Sequence, residues 1–133
     1  MRSKRWLIGA ATCAALLPGA THAGVTEATF QQLSTTADLV DLCTAGPSDP
    51  MGTAALNFCQ GFAVGVYRVL EEENAAKRYG RLFCIPNNFK ATRNEAIADF
   101  VQWAKATPGV MSERPANGLT HYLETKYPCP RGK

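Results

Sequence analysis

A chain of 133 residues with 14 Lys and Arg against 11 Asp and Glu carries a small positive excess, and Arg2, Lys4 and Arg5 supply all of it. Residues 24–133 are therefore neutral, which leaves no electrostatic footprint for nucleic acid or an anionic membrane surface. The size suits one small domain, and the sequence holds no P-loop, dinucleotide fingerprint or HExxH motif.

In chain order, Met1–Arg5 is basic, Trp6–Leu17 is apolar, and Thr21-His22-Ala23 offers a small-residue cleavage site. This is the pattern of a secretory signal peptide over residues 1–23, with an apolar run too short to span a bilayer. A competing reading makes Cys13 the lipidated residue of a lipoprotein, but no large aliphatic residue stands three positions before it. The expectation is export into a periplasm and a single domain over residues 24–133.

Gly24 to Thr35 reads as a polar lead-in. Thr35 or Thr36 can cap a short first helix whose apolar side is Ala37, Leu39, Val40, Leu42 and Cys43. Gly46-Pro47-Ser48-Asp49-Pro50 breaks the chain, and Asp49-Pro50 is a favourable start for a second helix running to about Tyr79, stopped by Gly80. Leu56, Cys59, Ala63, Val66, Tyr67 and Leu70 share one face of it, widened by Phe58, Phe62 and Val69. Such a helix is expected to be central and mostly buried. Arg81–Asn88 reads as an extended connector. Thr92 and Glu95 then form a capping box for a third helix with Ile97, Phe100, Val101 and Ala104 as its stripe. Ser112, Glu113 and Pro115 open a fourth, with Leu119, Tyr122, Leu123 and Tyr127 facing inward and Pro128 ending it. No segment alternates with period two. The fold class is all-α, a compact domain of four or five helices.

Gly61 and Gly65 fall on one face of the second helix together with Ala54. Each glycine costs a helix about 1 kcal/mol relative to alanine. The expectation is that they admit the backbone of another helix within the same bundle, with a self-association face as the alternative.

Four cysteines follow residue 23: Cys43, Cys59, Cys84 and Cys129. In an exported chain of this size they read as two disulfides rather than a zinc ribbon or haem site, since no CxxC occurs. In an up-and-down bundle Cys43 and Cys59 lie at one end, and Cys84 and Cys129 at the other. Crossed pairs would have to close gaps on the order of 25 to 30 Å, against a Cα limit of about 7 Å. The expected bridges are Cys43–Cys59 and Cys84–Cys129.

No catalytic, metal or cofactor site emerges. His121 lies off the apolar stripe of its helix with no recognisable nucleophile and orienting group around it. Glu71, Glu72 and Glu73 fan over about 200° of a helix and do not converge on one ion, while Glu73 and Lys77 form an ordinary i, i+4 pair. The acidic tip at Glu71–Glu73 and the flanking Trp103 are candidate contacts for a protein partner. The physical reading is a non-catalytic binding protein.

Leu39-Val40-Asp41-Leu42-Cys43, the run Phe58–Val66, Cys84-Ile85-Pro86 and Tyr127-Pro128-Cys129 together resemble the Rap/Tai-type immunity domain, over about Thr36 to Cys129. The resemblance implies a compact helical fold, a periplasmic location and frequent homodimers. It also implies binding and inhibition of peptidoglycan amidases delivered by type VI secretion. No inhibitory residue transfers by motif. Recognition is expected in the Thr44–Met51 loop, the Glu71–Tyr79 helix end and the Pro108–Arg114 loop. A periplasmic stress chaperone and an envelope interaction module without a cognate toxin are the alternatives.

Overall fold

The computed structural model describes residues 24–77 and 80–130, so the expected signal peptide and Cys13 lie outside the described residues. Five helices follow one another: α1 Glu27–Gln31, α2 Thr36–Cys43, α3 Gly52–Ala76, α4 Arg93–Ala106 and α5 Pro115–Lys126. A single 3-10 turn at Val110–Ser112 precedes α5, and no β-strand occurs among the described residues.

Local chemistry sets most boundaries. The Thr35 hydroxyl accepts from Asp38 N while Asp38 Oδ2 accepts from Thr35 N at 2.8 Å and Ser34 N at 3.0 Å, a complete capping box for α2. Burial raises the Asp38 carboxyl, but these donors outweigh it and hold it below the ordinary carboxylate range. Thr92 and Glu95 cap α4 in the same reciprocal way, with Thr92 N to Glu95 Oε2 at 2.7 Å. Pro115 occupies the first turn of α5, where its missing N–H costs nothing.

The start of α3 is not where Asp49-Pro50 places it. Met51 is the cap residue, and Asp49 is spent on the preceding loop: Oδ2 accepts from Val25 N at 2.7 Å and Oδ1 from Met51 N at 2.9 Å. The helix also ends earlier than Tyr79, at Ala76, because Lys77 takes a left-handed conformation at φ 52°. Asn74 then ties the returning chain to the helix end, accepting from Leu82 N at 2.8 Å and donating to Phe83 O at 2.9 Å. The lead-in contains α1, whose Phe30 meets Phe58 edge-on at 5.6 Å between ring centroids.

The centre of the domain is α2, not α3. Leu39, Val40 and Leu42 of α2 are 0–1% exposed; Leu39 and Val40 pack with Phe100, Val110 and Tyr122, and Leu42 packs with Ala55 and Cys59 of α3. In α3 only Gly52, Ala55 and Cys59 are fully buried, and Leu56, expected inside, is 38% exposed. Leu56 sits between buried Ala55 and Cys59 but on the outward face, whereas the lack of any fully buried residue beyond Cys59 follows from length. At 1.5 Å per residue α3 spans about 37 Å, whereas α2, α4 and α5 have 8, 14 and 12 residues and cannot cover all of it.

Both expected disulfides are present. Cys43–Cys59 and Cys84–Cys129 close with Cα separations of 5.2 and 4.8 Å. The first joins α2 to α3, and the second ties the connector after α3 to the segment after α5. Among the described residues no helix is long and apolar enough to cross a membrane.

Candidate interaction surface

Gly61 and Gly65 do not serve the packing expected of them. Both are exposed, and a Cβ at either position would have no neighbour within 4 Å. The close approaches that require glycine lie elsewhere. A Cβ on Gly52 would overlap the Gly46 carbonyl oxygen, and one on Gly118 would overlap the Thr36 hydroxyl. Ala54, Phe58, Gly61, Gly65 and Val69 instead form an open line along α3, with Phe58 36% and Val69 61% exposed. Phe58 is only partly covered, by Phe30 and by Phe62 stacked at 6.3 Å. The described chain alone thus leaves a small-residue, apolar face of its longest helix uncovered.

The acidic end of α3 is organised differently from its expected i, i+4 pairing. Arg68 Nη1 pairs with Glu71 Oε2 at 2.6 Å, and Tyr67 Oη donates to Glu71 Oε1 at 3.3 Å. No Glu73–Lys77 ion pair forms among the described residues; Lys77 is the left-handed cap of the helix, and its backbone N–H donates to Glu73 O instead. Glu72 is exposed and Glu73 half-buried.

Trp103 is half-buried on α4, with its ring edge-on to His121 at 5.2 Å and to Tyr122 at 5.5 Å. His121 Nδ1 lies 3.2 Å from Glu113 Oε1. Trp103 shares no ring contact or side-chain hydrogen bond with Glu71, Glu72 or Glu73, so these candidates are two separate features.

A groove that periodicity did not signal opens between the second half of α3 and helices α4 and α5. Its volume is about 390 Å³. Phe100, Leu119 and Leu123 of the core form its floor, and Val66, Tyr67 and Ile97 line its walls. Phe89 is a 40% exposed lip. Gln60 Nε2 donates to Asn94 Oδ1 at 2.9 Å, a direct polar link from α3 to α4. The exposed residues Arg68 and Arg93 also line the groove, one from each helix.

Tyr122 also lines the groove, and its Oη donates to Asp99 Oδ2 at 2.6 Å, which accepts from Lys126 Nζ at 2.7 Å as well. Lys126 first and Tyr122 second hold the Asp99 carboxyl below its usual range. Burial, then the Asp99 carboxylate, pushes the Tyr122 hydroxyl well above the ordinary tyrosine range, so it stays a donor. Among the described residues no group of three or more His, Cys, Asp and Glu is placed to hold a metal ion.

The family model described as Rap1a immunity proteins matches residues 35–129. No curated protein and no solved structure matches.

Proposed function

The chain belongs to the Rap1a immunity protein family, and from that premise we propose that it is an exported, non-catalytic protein that binds and inhibits a peptidoglycan amidase delivered by type VI secretion. The observation that carries this reading is the family match over residues 35–129, which spans the helical core and both disulfides. Membership implies an effector protein as partner. The amidase and the inhibition are the finer part of the proposal. Two disulfides are at home in an oxidising compartment, which supports a periplasmic location reached through the signal peptide read at residues 1–23. The partner surface draws on α3 and α4, with exposed Glu71 and Glu72 and half-buried Glu73 and Trp103 among its positions. A homodimer would have the open Phe58–Gly61–Gly65–Val69 line available for it. A stress chaperone or an envelope module without a toxin is the alternative.

The test uses the oxidised protein as bait against the type VI secreted fraction of its own host. Capture is read by mass spectrometry, and any cell-wall hydrolase found is assayed with and without the bait. One hydrolase bound stoichiometrically and silenced establishes the reading. Verified secretion with no specific capture overturns it, and broad capture of unfolded proteins at acid pH favours the chaperone.

A further inference from the structure

We propose that the groove between α3 and α4 is a binding site for an amphipathic carboxylate, its apolar body lying over Phe100 and Leu123 and its carboxylate meeting Arg93. This goes beyond the immunity reading and does not rest on it.

Size and lining fix the body of the ligand. A volume of about 390 Å³ falls in the range of small-ligand sites. The floor and walls are mainly apolar and aromatic, so an apolar body gains by displacing water from them. An unbranched chain of about ten carbons suits an open apolar groove of this size.

Charge fixes the head. The side chain of Arg93 makes no ion pair or hydrogen bond among the described residues. The carboxylates of this side of the domain are occupied: Glu71 by Arg68 and Tyr67, Glu95 by the Thr92 cap, Asp99 by Tyr122 and Lys126. Arg68 holds Glu71 in an exposed pair of the kind that solvent makes weak, so its guanidinium is available to a second carboxylate. An anionic head therefore meets two guanidiniums, one unpaired and one exchangeable, whereas a cationic head meets both of these and finds no unpaired carboxylate, only Glu71 shared with Arg68.

The experiment is calorimetric titration of the oxidised protein with decanoate, below its micellar concentration, and with decyltrimethylammonium, which has the same chain and the opposite charge. One saturable decanoate site per chain is expected, with no saturable site for the ammonium compound. Arg93→Glu, at an exposed position, should weaken decanoate about tenfold, as loss of a charge-assisted hydrogen bond does. Ala96→Phe, which fills the groove, should remove binding. If that variant does not melt cooperatively, Arg93→Glu decides alone. The proposal is overturned if decanoate does not saturate the wild-type protein, if the ammonium compound binds equally, or if Arg93→Glu leaves decanoate binding unchanged.

Discussion

Thr36 and Gly118 occupy one another's space: the Thr36 hydroxyl lies where a side chain on Gly118 would have to be. Thr36 is completely buried, its N–H donates to Glu113 O at 2.7 Å, and its hydroxyl reaches Glu113 O at 3.2 Å and Arg114 O at 3.4 Å. This is how the first turn of α2 locks onto the entry to α5. Gly118→Ala must displace a buried hydroxyl that cannot turn away without losing its acceptors. Overpacking of this kind costs about 1–3 kcal/mol, and alanine's better helix propensity returns about 1 kcal/mol. Net destabilisation is expected in urea unfolding. A double-mutant cycle with Thr36→Ala should show a coupling of about 0.5 kcal/mol or more, because the clash requires both partners. Simple additivity would mean that α5 shifts to make room.

Gly61→Ala and Gly65→Ala should do the opposite. Neither would place a Cβ within 4 Å of another atom, and both lie inside a 25-residue helix. With the face open, each substitution should stabilise the protein by about 1 kcal/mol. Thermal melts at two protein concentrations check this. A melting temperature that rises for both variants, independent of concentration, identifies a free surface. A fall, or loss of a concentration-dependent melt, shows that a second copy covers Gly61 and Gly65 in solution.

The sequence was legible where the signal was local. Thr92 and Glu95 mark the start of α4 because a capping box needs only four residues, and the disulfide pairing followed from which helix ends share a pole. The burial of α3 was not legible. Leu56, Phe58, Phe62, Val64 and Val69 spread apolar residues around most of the helix, so periodicity could not choose the inward face. The short neighbours that leave its second half partly bare are a property of the assembly. The five residues of α1 carry too little pattern to announce a helix, and Phe30 finds Phe58 only in three dimensions. The groove is a gap between elements far apart in sequence. Arg68 and Arg93 could be seen in the chain, but nothing in their spacing said they would flank one cavity.

Acid should weaken the link between α4 and α5. The Asp99 carboxyl lies below its ordinary value in the folded state, so its contribution is complete above about pH 4, the unfolded carboxylate value. It is lost as pH falls through the lower folded value. The side chain of Asp99 is 39% exposed, and solvent screening discounts the ion pair with Lys126. The bond from buried Tyr122 is the larger part, about 1 kcal/mol. Asp99→Asn should therefore lower stability at pH 7 and match the wild type near pH 2. A difference that persists undiminished at pH 2 would assign the effect to altered packing around Tyr122 instead.

The two disulfides should be unequal. Cys43–Cys59 spans 16 positions and Cys84–Cys129 spans 45, the latter enclosing α4 and α5. Constraint of the unfolded chain grows with the logarithm of loop length, giving about 3 kcal/mol for the shorter loop and about 4 kcal/mol for the longer. Local packing pulls the other way. Cys59 is 1% exposed against Leu42 and Ala55, so replacing it by alanine also leaves a void, whereas Cys43, Cys84 and Cys129 are only half-buried. The comparison is urea unfolding of Cys43→Ala/Cys59→Ala and of Cys84→Ala/Cys129→Ala, each oxidised at the remaining pair. A larger loss for the second variant shows that chain entropy governs. The reverse order places the weight on buried Cys59 between α2 and α3, and the Cys43–Cys59 bridge then acts first as a core contact.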